Sequence, residues 1–170
     1  FASIAILFMF IKITMGFKDM FEKGLNLETA PSIWITIPIL TLLGITFIRI
    51  SFGLEHHFSA PLAKSSLFVL TSVVLSLQII FVVLGYMIMK KMDYFTKYIE
   101  STNKSAISFA LICPGVAFMV FGMFFINYGL AYNNIIDKYS IAYFIFMLPF
   151  IYIQMKTIIY FFKLYKKFEL

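Results

Sequence analysis

Ser108-Phe-Ala-Leu-Ile-Cys-Pro-Gly-Val-Ala-Phe-Met-Val-Phe-Gly-Met-Phe-Phe-Ile-Asn-Tyr-Gly129 decides what kind of molecule this chain is. No charged residue occurs between Lys104 and Asp137, and a helix rising about 1.5 Å per residue crosses the roughly 30 Å hydrocarbon layer in about twenty residues. The stretch therefore reads as a membrane span over 107–132. Ser108, Gly115, Gly122 and Gly129 recur at heptad spacing, which on a helix draws a slowly drifting stripe of small side chains where another backbone can come close. Ala106, Ala110, Cys113 and Ala117 fall on a different face. Pro114 removes a backbone N–H and clashes with the preceding turn, which predicts a kink at mid-membrane. On the residues alone, tight packing inside a helical bundle explains the stripe.

The surrounding composition agrees. At 62% hydrophobic and 13% charged, the chain departs from soluble domains, whose shares are nearer a half and a quarter. Its mean hydropathy is +0.95. The apolar runs are continuous and about twice the length of the alternating segments that build transmembrane barrels. The expected fold class is all-α: a polytopic membrane bundle of five helices, forming a single transmembrane region. The net charge of +6 then reports orientation and headgroup contact, so nucleic acid is not an expected partner. One cysteine and two histidines exclude an intramolecular disulfide and supply no credible zinc set, and no cofactor or metal is expected.

Outward from the central stretch, four more spans are predicted, at 1–16, 31–48, 67–89 and 141–162. The first is read as a span entered part way through a longer protein, with Lys12 snorkelling near its end. The second starts at Thr29 and Pro31, a capping residue and a proline suited to a first helical turn. It contains Trp34, Pro38, Thr41 and Gly44, so it shares an internal proline and a glycine with the central stretch. The segment 49–66, with Glu55, His56, His57, Pro61 and Lys64, reads as a loop. Adjacent histidines point apart on a helix and do not make a metal site by themselves. The lysine-rich segment 90–104 has the composition of an interfacial, amphipathic piece. Lys18, Lys23, Lys90, Lys91, Lys97, Lys104, Lys163, Lys166 and Lys167 fall on one side of the five-span topology, against Arg49, Lys64 and Lys138 on the other. The positive-inside rule places the C-terminus in the cytoplasm and His56 and His57 outside.

Two segments carry a resemblance. Glu28-Thr-Ala-Pro-Ser-Ile-Trp-Ile-Thr-Ile-Pro-Ile-Leu40 and Ser108-Phe-Ala-Leu-Ile-Cys-Pro-Gly-Val-Ala117 resemble two helix starts of the tellurite-resistance/dicarboxylate transporter family, which includes TehA-like proteins and the plant slow anion channels. The resemblance implies the C-terminal half of a ten-span fold built as five helical hairpins, residing here in a bacterial inner membrane. The second and fourth spans would be inner helices around a pore. It implies membrane lipid, a small anion, the N-terminal half of the same protein and further copies in a trimer as partners. Pore-lining candidates are then Cys113, Pro114, Phe109, Ala110 and Ala117 on one inner helix, and Pro38 and Thr41 on the other. Gly115, Gly122 and Gly129 serve helix packing. Two departures stand out: Cys113 occupies the position where the family carries an aromatic plug, and Pro149 sits in what would be an outer helix.

An anion channel or transporter is the function expected. The alternative is a membrane anchor or assembly subunit of a redox complex, which needs histidines within spans to hold haem. An enzyme is not expected, because no nucleophile, base and orienting residue cluster in sequence.

Overall fold

The computed structural model describes residues 2–24, 27–59, 63–101 and 103–169. It is all-helical, with no strand among the described residues. The α-helices are α1 (Ala2–Lys23), α2 (Thr36–Phe58), α3 (Lys64–Lys91), α4 (Ile112–Phe124) and α5 (Ile141–Glu169). Six-residue 3₁₀ segments, Ala30–Ile35 and Ala106–Leu111, lead into α2 and α4, and a π turn, Phe125–Ala131, prolongs α4. Ala30–Phe58, Lys64–Lys91, Ala106–Ala131 and Ile141–Glu169 are each long and apolar enough to cross a bilayer. The chain is a helical membrane protein. The opening helix α1 is not among these four, and it packs against α2. The snorkelling expected of Lys12 lies outside the described side chains, and Pro61 lies outside the described residues.

Helix ends differ from the expected ones. α2 continues through Arg49, Glu55, His56 and His57 to Phe58, where Ser59 closes it in the left-handed conformation at φ 51°. Residues 49–58 are therefore helix and not loop. α5 likewise runs past 162 to Glu169. Hydropathy marks where the hydrocarbon ends, whereas backbone hydrogen bonding carries a helix into the headgroup layer until a cap stops it.

Pro38 and Pro114 have the same setting. Each is the third residue of an α-helix that follows a 3₁₀ lead-in. A proline cannot donate to the carbonyl four residues back and crowds it. In a 3₁₀ segment that carbonyl is served from three residues on, so the change of helix type absorbs the missing donor. The change of helix type that accommodates Pro114 thus falls at the start of α4, inside the apolar stretch Ala106–Ala131.

The two prolines are equivalent members of an internal repeat with an offset of 76 residues, the separation of the bonded pair Thr41 and Ala117. At that offset Ala30 matches Ala106, Ser32 matches Ser108, Gly53 matches Gly129, Gln78 matches Gln154, and Lys90-Lys91 match Lys166-Lys167. Each unit is a 3₁₀ lead-in, an α-helix beginning with a proline turn, and a long return helix. Successive spans alternate direction, so α2 and α4 run the same way.

Two apolar clusters hold the units together. The larger joins Ile37 and Leu40 of α2, Val74 and Leu75 of α3, Phe118 and Phe121 of α4, and Phe150 of α5. The smaller gathers Met89, Tyr94, Ile99, Leu111 and Leu164 at the lysine-rich end. The lysine-rich segment is thereby pinned to the bundle over 90–101: Phe95–Glu100 forms a π turn, and Tyr94 and Ile99 point inward. Elsewhere large apolar side chains face outward, with Leu42 67%, Met87 63% and Phe162 62% exposed. Such a surface is stable only against acyl chains or another apolar partner.

Candidate functional site

The proline turns of α2 and α4 meet at the centre of the bundle. Thr41 lies one turn beyond Pro38, and Ala117 holds the equivalent place beyond Pro114. The Thr41 hydroxyl is 3.0 Å from the Ile37 carbonyl on its own helix and 3.1 Å from the Ala117 carbonyl across the crossing. From α3, the fully buried Gln78 donates through Nε2 to Thr41 Oγ1 at 2.8 Å and to the Ile37 carbonyl at 3.3 Å. Its Oε1 has no partner among the described groups, and neither has Oε1 of the equivalent Gln154. Buried polar groups stay cheap only while bonded. Thr41→Val is therefore expected to cost about 1 kcal/mol, in the range of hydrogen bonds inside membrane bundles. Gln78→Leu on that background should add little, since the amide has already lost its better acceptor. Thermal unfolding of the two single variants and the double variant checks this, and strict additivity would contradict it.

The lead-in turns are tied together at the lysine-rich end. Ser105 Oγ donates to Glu28 Oε1 at 2.8 Å, which links the segments that precede the two helices. The hydroxyls of Tyr94 and Ser108 are 2.9 Å apart. Burial pushes the Tyr94 phenol above its usual range, against the opposing pull of the Ser108 hydrogen bond, so it remains protonated. Lys167 donates through Nζ to the Tyr98 carbonyl at 2.7 Å, fastening α5 to the same turn.

The faces of α4 then separate. Ser108, Gly115, Gly122 and Gly129 are buried. A Cβ on Gly115 would lie 2.0 Å from Thr157 Oγ1, on Gly122 2.2 Å from the Phe150 ring, and on Gly129 2.6 Å from Thr71 Oγ1. The stripe thus meets α5 along most of its length and α3 at its end, following the drift of a heptad on a 3.6-residue helix. Pro114 is buried beside it. Ala106, Ala110 and Cys113 are exposed, with Ile107, Val116 and Val120 beside them, and Ala117 is half-buried. This outer strip holds no titratable group except the thiol. Phe109 packs on α5 against Phe161 and Phe168, and Phe118 is buried against Phe150, so neither ring covers Cys113.

A cavity of about 300 Å³ lies on the other flank of α4. Pro114, Gly115 and Phe118 form its floor, and Trp34, Tyr86, Tyr152, Lys156 and Tyr160 stand around it. The Trp34 indole donates to the carbonyls of Phe81 and Val82, at 3.1 and 3.2 Å, and lies on Gly85, where a Cβ would come within 2.2 Å of its nitrogen. The rings of His56 and His57 stack at 5.0 Å in the exposed last turn of α2. No group of three or more metal-ligating side chains occurs among the described residues.

Sequence reasoning missed the buried Gln78 and the cavity. The offset of 76 residues was the available signal for the first, since it pairs Gln78 with Gln154. For the second it was the spacing of Tyr152, Lys156 and Tyr160, one turn apart on one helix face. The chain matches no family model, no curated protein and no solved structure.

Proposed function

We propose that the chain is the C-terminal half of a small-anion channel or transporter resembling the tellurite-resistance/dicarboxylate family, with α2 and α4 as inner helices. The observation that carries this reading is the outer strip of α4. Small residues and a thiol are exposed along an uncharged helix whose other side is packed through glycines. A path lined this way passes anions by helix-end dipoles and nearby lysines and not through a tight charged site. The wall facing that strip would come from the N-terminal half, with α1 as a fifth span and further copies completing a trimer. The redox-anchor reading needs imidazoles inside a span to hold haem, and His56 and His57 sit in a helix-end turn. Reconstitution of the full-length protein in liposomes tests the proposal: chloride or a small carboxylate should leave protein-containing vesicles faster than protein-free ones, while potassium should not. Equal leakage of anion and cation would contradict it.

In this reading the chain lies in a bacterial inner membrane, and the lysine-rich end, with the C-terminus, is cytoplasmic. Ser59→Cys and Ser101→Cys, each in a Cys113→Ser background, report the orientation. Ser59 is exposed just past α2, and Ser101 follows the lysine-rich turn. An impermeant thiol reagent added to intact cells should modify the cysteine at 59 and spare the one at 101. The reverse pattern would invert the topology.

A further inference from the structure

We propose that the crevice between α3 and α5 is a site for an anionic phospholipid of the leaflet at the lysine-rich end, with one acyl segment in the cavity and the phosphate held by Lys90 and Lys156. This rests on the chain being a membrane protein and not on its transporting anything.

The crevice exists because α4 fills the space between the return helices only up to Pro114, Gly115 and Phe118. Above that floor the walls are aliphatic and aromatic, from Ile37, Val82 and Ile153 to the rings of Tyr86, Phe95 and Tyr160. Phe95 stands between the two tyrosines, 5.7 Å from Tyr86 and 6.0 Å from Tyr160, so the rim is one continuous aromatic edge. Tyrosine at this depth presents an apolar ring to acyl chains and a hydroxyl to the headgroup layer.

Two cations are seated on lining tyrosines: Lys156, which itself lines the cavity, and Lys90, one turn beyond Tyr86 on α3. Lys90 Nζ lies 5.9 Å from the Tyr86 ring centre, and Lys156 Nζ lies 5.7 Å from that of Tyr152. Lys156 precedes Lys163 by two helical turns, so its backbone lies about 10 Å deeper than the terminal lysine cluster. A charge there is costly unless it snorkels or meets an anion. An anionic headgroup within reach of the extended Lys156 side chain satisfies it, and basic crevices between membrane helices are where such headgroups settle.

The occupant's route is set by the surface around the opening. Tyr152 is 63% exposed, and Val83, Met87 and Phe162 are outward-facing apolar neighbours on α3 and α5. A soluble anion would have to cross that apolar belt, whereas a lipid is already in it. At about 300 Å³ the cavity is at the small end of ligand pockets and takes part of one chain, leaving the phosphate outside among the lysines.

The test is native mass spectrometry of the purified full-length protein in detergent, titrated with phosphatidylglycerol or phosphatidylcholine of the same acyl composition. One phosphatidylglycerol should bind with clear preference over phosphatidylcholine. Lys156→Ala and Lys90→Ala should each weaken it about fivefold, the effect of one lysine near an anionic lipid, and Lys156→Arg should retain it. Ile153→Trp, which fills the cavity, should reduce binding of both lipids. Lys64→Ala should change nothing, since Lys64 lies at the opposite end over Tyr132. Equal binding of the two lipids would overturn the proposal. So would an effect of Lys64→Ala matching that of Lys156→Ala, or full displacement of phosphatidylglycerol by millimolar inorganic phosphate, which would make the site one for a soluble anion.

Discussion

Gly122→Leu is expected to lower the thermal unfolding midpoint of the bundle by several degrees, through overpacking between α4 and α5. A Cβ at this position would stand 2.2, 2.4 and 2.5 Å from three atoms of the Phe150 ring. That ring cannot swing aside at little cost, because Phe150 is itself buried and lies 5.2 Å from Phe118 in the main apolar cluster. The added side chain must therefore push α4 away from α5, against which Gly115 and Gly122 both pack. Overpacking of this kind costs about 1–3 kcal/mol, and the upper end is expected where the clash is with a ring held from behind. For a chain of this size 3 kcal/mol lowers the midpoint by roughly 6–12 °C. Gly53→Leu is the control, since nothing lies within 4 Å of a Cβ there. Phe150→Ala in the Gly122→Leu background should recover part of the loss by vacating the space. An unchanged midpoint for Gly122→Leu would mean that Gly122 faces lipid.

Legibility of the fold followed the physics of each signal. The four long spans were visible because a bilayer imposes length and apolarity on any helix that crosses it, and Ser108 to Gly129 satisfies both without ambiguity. Helix ends were less visible. The turn holding His56 and His57 is polar enough to be read as loop, yet Ser59 is where the backbone actually turns left-handed. The prolines at 38 and 114 were visible as breaks, but sequence alone does not say that a break is accommodated upstream as a 3₁₀ turn. The Thr41, Gln78 and Ala117 contact was not legible, since a glutamine in an apolar run is equally compatible with a lipid-facing snorkel and with a buried crossing. Only the placement of α3 against the α2–α4 pair distinguishes them. Lys156 was visible as a charge in a span, whereas its seat on Tyr152 and the cavity beside it depend on how far α3 and α5 splay.

Cys113 carries the second large expected effect. The thiol is exposed on α4, flanked by Ala110 and Val116, and no aromatic ring covers it. If the outer strip of α4 lines the anion path, a phenylalanine at this position would put into that path the ring that the resembling family carries there. Flux through Cys113→Phe should then drop to near the level of protein-free vesicles, and Cys113→Ser should leave flux close to wild type. A strip that faces acyl chains instead would tolerate phenylalanine with no change in flux, since lipid yields to an added ring.

The most direct test of the anion-path reading is therefore chloride efflux from liposomes holding the full-length protein, measured before and after a small, negatively charged, membrane-impermeant thiol reagent. Such a reagent reaches Cys113 only through water. The account predicts that Cys113 is modified, that efflux falls with the extent of modification, and that Cys113→Ser is resistant to the reagent. Unmodified Cys113 with unchanged efflux, in wild type and in Cys113→Phe alike, would contradict it.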